Sequence, residues 1–244
     1  MSSIINWFVD KGDRIYAAFI KYDRYLSYLK GLKLTIIMSI LAVLLGVTIG
    51  IIVAVFKYSS ARRSHKSIGS ALLRFGEIIC NIYLTIIRGT PVYVQLLIIY
   101  NLIFTSRNTS PLVSGVVCFG INSGAYVAEI IRAGLESVDK GQMEAGKSLG
   151  LSGMQTMKSI ILPQAVKNIL PALGNEFITL IKETAIAGQI AIIDITKVAQ
   201  GIGGSTMDLL TPLFITAAMY LILVIGLTKI LNYFERRMAR SDRR

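Results

Sequence analysis

Five apolar blocks, each about 20 residues long, constrain this chain more than any other feature. They run over about residues 34–56, 78–104, 112–131, 169–190 and 209–231. That is the length a helix needs to cross about 30 Å of hydrocarbon at a rise of 1.5 Å per residue. In lipid every backbone polar group must be satisfied within its own segment, so the blocks read as helices. The expected fold class is therefore an all-α integral membrane protein with five transmembrane helices. Only 16% of residues are charged, against about 25% in soluble domains.

The net charge of +12 invites a nucleic-acid reading. The basic residues lie between the apolar blocks, where membrane topology and anionic lipid account for them. No nucleic-acid partner is expected. Segments 57–77, 132–167 and 232–244 hold five Lys or Arg each, fifteen in all, against eight in 1–33, 105–111 and 191–208. This bias predicts an N-out, C-in orientation, and no removable signal peptide is evident in the first thirty residues. The chain divides into an N-terminal segment 1–33, a transmembrane domain 34–231 and a basic tail 232–244. In the first segment Ile15, Phe19, Tyr22, Leu26 and Leu29 recur at helical spacing. They predict an amphipathic helix, lying in the membrane interface or packed on the bundle.

Gly46-x-x-x-Gly50 and Gly120-x-x-x-Gly124 place small residues one turn apart inside two blocks, a pattern for close helix packing. Cys80 and Cys118 are isolated, so neither a disulfide framework nor a zinc site is expected. His65 sits in a basic loop and reads as solvated. Asn108-Thr109-Ser110 is a chance glycosylation match.

Residues 141–148, GQMEAGKS, fit a phosphate-loop pattern. Such a loop needs a preceding strand and a sheet to stand on. Here a charged helical run, RAGLESVDK, precedes it, and five spans leave no room for a nucleotide fold. The stretch instead predicts a pair of short helices. Asp139 with Gln142, and Ser152 with Gln155, are capping pairs. Gly150 is a left-handed stop, Met154, Met157 and Ile161 form an apolar stripe, and Pro163 ends the second helix. A hairpin exposing methionine and small side chains has the shape of a helix-in-groove ligand.

Glu144-Ala145-Gly146, three residues, Gly150, nine residues, Ile160-x-Leu162-Pro163 resembles the EAA loop of ABC-transporter membrane subunits. Gly146 stands where that family usually has a second alanine. RGTP at 88–91, INSGAYVAEIIRAG at 121–134, LPALGN at 170–175 and IKETA at 181–185 resemble its polar-amino-acid uptake subgroup. The resemblance covers roughly residues 25–235. It implies a type I importer permease of the MetI-like fold in a bacterial inner membrane, with a cytoplasmic coupling helix at 139–163. Glu144, Ala145, Gly146, Gly150, Leu151, Met154, Ile160, Leu162 and Pro163 would dock the ATPase. The implied partners are two ABC ATPase subunits that bind ATP and magnesium, a second permease copy or homologue, an extracytoplasmic amino-acid-binding protein, and lipid. No cofactor is expected in this chain, and it is not itself an enzyme.

Ionisable and polar residues inside spans are candidate path residues. They are Arg88, Thr90 and Gln95 on the second block, where Pro91 frees backbone carbonyls. Asn122, Ser123, Tyr126 and Glu129 follow on the third, with Arg132 placed to pair with Glu129. The fourth carries Thr179, Lys182, Glu183 and Gln189. A zwitterion needs such a mixture of donors and acceptors. The bland reading makes Glu129–Arg132 and Lys182–Glu183 internal ion pairs. KETAIAGQIAIID departs from the subgroup's usual KDTSLVSVIG, so substrate preference does not carry over. The competing class is an ion- or proton-coupled secondary amino acid transporter using Lys182 and Glu183. Such folds show doubled repeats, which are not visible here.

Overall fold

A computed structural model describes residues 11–61, 68–103 and 110–241. Among these, every regular element is helical. In chain order they are α1 (Arg24–Ala61), α2 (Ile68–Gly89), α3 (Val92–Ile103), α4 (Pro111–Glu136), α5 (Gly141–Ser148), α6 (Gly153–Thr156), α7 (Leu162–Glu183), α8 (Ile195–Thr206) and α9 (Leu210–Ser241). His65, Arg107 and residues 108–109 of the glycosylation match lie outside the described residues.

The parallel pair α1–α4 is the spine of the bundle. An added Cβ at Gly46 would meet Ser123 Cβ at 2.9 Å, and one at Gly50 would meet Val127 Cγ1 at 2.5 Å. From the other side, Gly120 lies against Leu45 and Gly124 against Ile49. The two small-residue motifs therefore meet in one crossing, each taking the other helix's larger side chains.

Three helical stretches among the described residues are long and apolar enough to cross a membrane: Lys11–Tyr58, which is kinked at Tyr22 and contains most of α1, Pro111–Glu136 and Leu210–Met238. Leu73–Gly89 and Val92–Ile103 qualify together as a fourth, bent by 116°. The interrupted second block is thus two helices meeting at a sharp corner. Pro91 has no N–H to donate, and it forces Thr90 out of the helical region. At 12 residues, α3 is only about 18 Å long. Gly76 of α2 faces Phe56 and Arg88 reaches Glu129, so α2 lies across the α1–α4 pair rather than along it. The fourth expected block is shifted: α7 begins at Leu162, and a 3-10 segment, Thr184–Ile190, completes it. Lys167, Glu176, Lys182 and Glu183 make α7 too polar to qualify as a span by composition.

The N-terminal stripe does not form one helix. Tyr22 and Asp23 adopt left-handed φ values of 58° and 54°, which break the 3.6 period before α1 begins at Arg24. Ile15, Tyr22, Leu26 and Leu29 are exposed, while Ala18 and Tyr28 bury against Ile195, Ala199 and Ile202 of α8. Of the two placements expected for this segment, the described part packs on the bundle. Residues 24–33 belong to the first long helix.

Candidate functional site

The hairpin 139–163 is built by local chemistry. The Asp139 carboxylate accepts from Gly141 N at 2.6 Å, and the Asp139 carbonyl accepts from Gln142 N at 3.0 Å. The carboxylate engages the second residue on, not the third, so the expected reciprocal pair with Gln142 does not form. Gly150 has φ +80°. Leu151 N donates to Gly146 O at 3.0 Å and Gly150 N to Lys147 O at 2.9 Å, the double closure of a left-handed helix stop. Ser152 and Gln155 form a reciprocal capping box, which satisfies two orphan donors. The GKS of the phosphate-loop pattern forms the last three residues of α5, before the turn at Gly150, and Ser148 Oγ donates to Glu144 O at 3.0 Å. Its hydroxyl is used by the helix.

Pro163 does not end the second helix. α6 continues through a π turn, Met157–Ile161, into α7, with Leu162 N donating to Met157 O. The widened turn accommodates the proline ring and its missing donor. Gln164 Nε2 donates to Ile160 O at 2.9 Å, so a side chain takes up a carbonyl there. At the base, Asn168 Nδ2 donates to Ser137 Oγ at 2.8 Å, and Ile169 Cγ1 would lie 2.3 Å from a Cβ at Gly134. The two stems that carry the hairpin, the end of α4 and the start of α7, are therefore fastened to each other. Its tip exposes Leu149 (79%) and Met154 (76%). Glu144, Ala145, Gly150, Leu162 and Pro163 are exposed, Leu151 and Ile160 are half-buried, and Gly146 is buried.

The polar residues of the bundle separate into two sets. Gln95, Asn122 and Ser123 are buried. Gln95 Nε2 donates to Ile87 O at 2.7 Å and to Thr90 O and Oγ1 at 2.9 Å. Thr90 Oγ1 donates to Ile86 O at 2.8 Å, and Asn122 Nδ2 donates to Gln95 Oε1 at 2.8 Å. The carbonyls released by Pro91 are taken by these side chains. Ser123 Oγ donates to Glu176 Oε1 at 2.8 Å, joining α4 to α7. Replacing Gln95 by Leu strands the Asn122 amide and two carbonyls, at an expected cost of about 2–3 kcal/mol. A lowered thermal midpoint measures it, and Gln95→Leu with Asn122→Leu should cost less than the sum of the two.

The second set is accessible. Arg88 Nη1 lies 3.5 Å from Glu129 Oε2, with its guanidinium 6.0 Å from the centre of the Tyr126 ring. Arg132 Nε donates at 3.1 Å to both Glu129 oxygens and pairs also with Glu136. The Glu129–Arg132 pair forms, with Arg88 as a third member. Lys182 and Glu183 do not pair with each other among the described residues, because consecutive helical residues point about 100° apart. Thr179, Lys182 and Gln189 are exposed and Glu183 is half-buried.

Sequence reasoning passed over Glu176, although the rule that singled out Lys182 applies to it equally. It also passed over Asp194, fully buried at the start of α8, which accepts from Thr196 N at 3.1 Å and Lys197 N at 3.0 Å. Burial pushes the Asp194 carboxyl up, and those N–H groups partly hold it down.

A bundle of long apolar helices that carries an exposed helical hairpin fits a membrane subunit. Over residues 46–240 the chain matches the family of the binding-protein-dependent transport system inner membrane component, and it belongs to that family. A Rickettsia typhi protein named for glutamine transport, GlnP, is 40% identical over 219 residues, covering 89% of this chain and 95% of that protein. The arginine transport system permease protein ArtQ of Bacillus subtilis is 37% identical over 216 residues, covering 88% and 93%. A crystal structure of an amino acid ABC transporter with histidines is 42% identical at a TM-score of 0.78, covering 87% of this chain and 94% of that one. The chain is thus the permease of an ATP-driven importer in the inner membrane. Hydrolysis belongs to its ATPase partners, and a substrate-binding protein serves it. That sets aside the secondary-transporter reading.

Proposed function

We propose that this permease carries polar amino acids inward, with its hairpin 139–163 seated in a cleft of a cytoplasmic ATPase subunit. The observation that carries this reading is the pair Leu149 and Met154, apolar and more than three-quarters exposed at the tip of a rigid hairpin. An exposed apolar tip on a fastened support suits a partner groove. Two copies, or one copy and a homologue, enclose the path, and a twofold pair matches two ATPases. ATP and its magnesium are bound by those partners. ATP-driven closure of the ATPases moves the hairpins as levers and rocks the bundles between two states. N-out, C-in topology puts the hairpin on the same side as the ATPases and α8 on the side of the binding protein. The accessible groups Arg88, Tyr126, Glu129, Thr179, Lys182 and Gln189 are the path candidates, while Thr90, Gln95, Asn122 and Ser123 hold the walls. The names of the relatives, glutamine and arginine transport among them, favour a substrate with an α-amino acid backbone.

The test is ATP hydrolysis by the reconstituted complex, assayed with each amino acid and the binding protein. Stimulation by one or a few polar amino acids, lost on Glu144→Lys, is the expected result. Stimulation by none of the twenty would refute amino acid transport.

A further inference from the structure

We propose that the groove between the first turns of α1 and the entry to α8 binds an anionic phospholipid, taking its headgroup and the upper part of one acyl chain. The groove encloses about 430 Å³, within the range of small-molecule sites. Ser27, Lys30, Leu34 and Ile37 recur at three and four residues, so they share one face of α1, with Lys33 at its edge. Together with Ile193 they line the groove. Its floor is a close crossing. A Cβ at Gly31 would lie 2.9 Å from both Ile195 Cα and Ile195 N, so the two backbones meet there and the groove runs beside the contact.

The lining is ordered as an amphiphile is. Ser27, Lys30 and Lys33 precede the apolar block that begins at residue 34, and Leu34 and Ile37 open that block. From Lys30 to Ile37 the helix rises about 10 Å, the step from headgroup level into hydrocarbon. α1 belongs to a stretch long and apolar enough to cross a membrane, so lipid tails reach Leu34 and Ile37 while the lysine ammonium groups stay at the interface. Ile193 is 65% exposed and adds apolar surface on the other wall. Lys30 and Lys33 are exposed, and among the described residues no carboxylate pairs with either. Arg24, by contrast, is used inside the fold, donating to Ala17 O and Ser205 Oγ. Asp194, the acid beside Ile193, is buried and accepts from Thr196 N and Lys197 N, so its charge is met at the start of α8 rather than by a lysine.

Two free cations above an apolar groove complement an anionic headgroup. The same charges oppose a second copy of this chain on this face, because about a twofold axis there lysine would meet lysine. Segment 1–33 holds six Lys or Arg on the side where the orientation rule expects few, and a lipid site gives two of them a role. On the N-out topology proposed above the lipid comes from the outer leaflet; the site itself needs only that α1 crosses the membrane.

The full complex is reconstituted in vesicles of phosphatidylcholine carrying a small share of phosphatidylglycerol with a photoactivatable group near the carbonyl end of one acyl chain. Illumination should label peptides covering 27–37 and 193–198. Lys30→Gln with Lys33→Gln should lower that label at least about fivefold. Arg236→Gln with Arg237→Gln removes the same charge from exposed positions on α9 and should leave the groove's label within about twofold of wild type. The same probe on a phosphatidylcholine headgroup should label the groove at least about fivefold less. Plain phosphatidylglycerol should compete the wild-type label away, a result that does not depend on how well the lysine variant inserts. Equal labelling by the two headgroups, a label that survives competition, or one unchanged in the lysine variant overturns the proposal. So does a groove that takes no label, as a second copy of this chain covering it would leave it.

Discussion

Met154→Asp is expected to cut ATP-driven uptake by at least about 30-fold, the effect of losing about 2 kcal/mol at a binding hot spot. Met154 is 76% exposed, on a four-residue helix held by a capping box. Its side chain is not needed to bury the core of this chain, so the substitution should leave membrane insertion and folding intact. Once docked, the same position loses its water. An aspartate there brings an uncompensated charge into an apolar contact, which costs more than the methionine contributed. Leu149→Asp should behave alike, because Leu149 closes the other side of the same tip. Co-purification of the ATPase, read against yield of the inserted permease, separates lost docking from lost folding. Wild-type co-purification and uptake for both variants would exclude the tip as the gripped surface.

The parts that could be read from sequence are those whose signals are local. Gly150 and the Ser152–Gln155 pair announced the turn and the second helix because each acts over three or four residues. The two GxxxG motifs announced close packing, and only the fold shows that they meet each other. The break at Pro91 was legible as an interruption, but a proline does not announce the size of a bend, and only the fold shows that it is 116°. Pro163 was misread for a related reason. A proline after a helical run ends it unless a turn upstream widens, and the π turn at Met157–Ile161 has no sequence mark. The N-terminal stripe failed at Tyr22 and Asp23, which adopt left-handed angles without a glycine to signal them. Gln95 and Asn122, 27 residues apart in sequence, looked like path residues because polar groups in a span are costly when unpaired. Pairing is a tertiary fact, and in the fold the two amides are buried and bonded to each other.

Gly50→Leu is expected to prevent assembly of the bundle, with a loss of at least about 3 kcal/mol, the upper end for overpacking. The reason lies in what surrounds the missing side chain. The nearest atoms are Val127 Cγ1 at 2.5 Å and Val127 Cβ at 2.7 Å, but the Ala128 backbone nitrogen follows at 2.9 Å. A side chain can rotate away, whereas a helix backbone cannot, so α1 and α4 must separate along the crossing. Separation also uncouples Gly46 from Ser123, whose hydroxyl holds Glu176 of α7. The damage therefore reaches a third helix. Gly226 is the control. It lies within α9 with nothing inside 4 Å of its added Cβ, so Gly226→Ala should leave the thermal midpoint of the detergent-purified chain unchanged or slightly raised, by up to about 1 kcal/mol of helix propensity. Size-exclusion fluorescence of the two variants after a heating series reads both effects. Equal behaviour of Gly50→Leu and Gly226→Ala would mean that the α1–α4 crossing does not hold this bundle together.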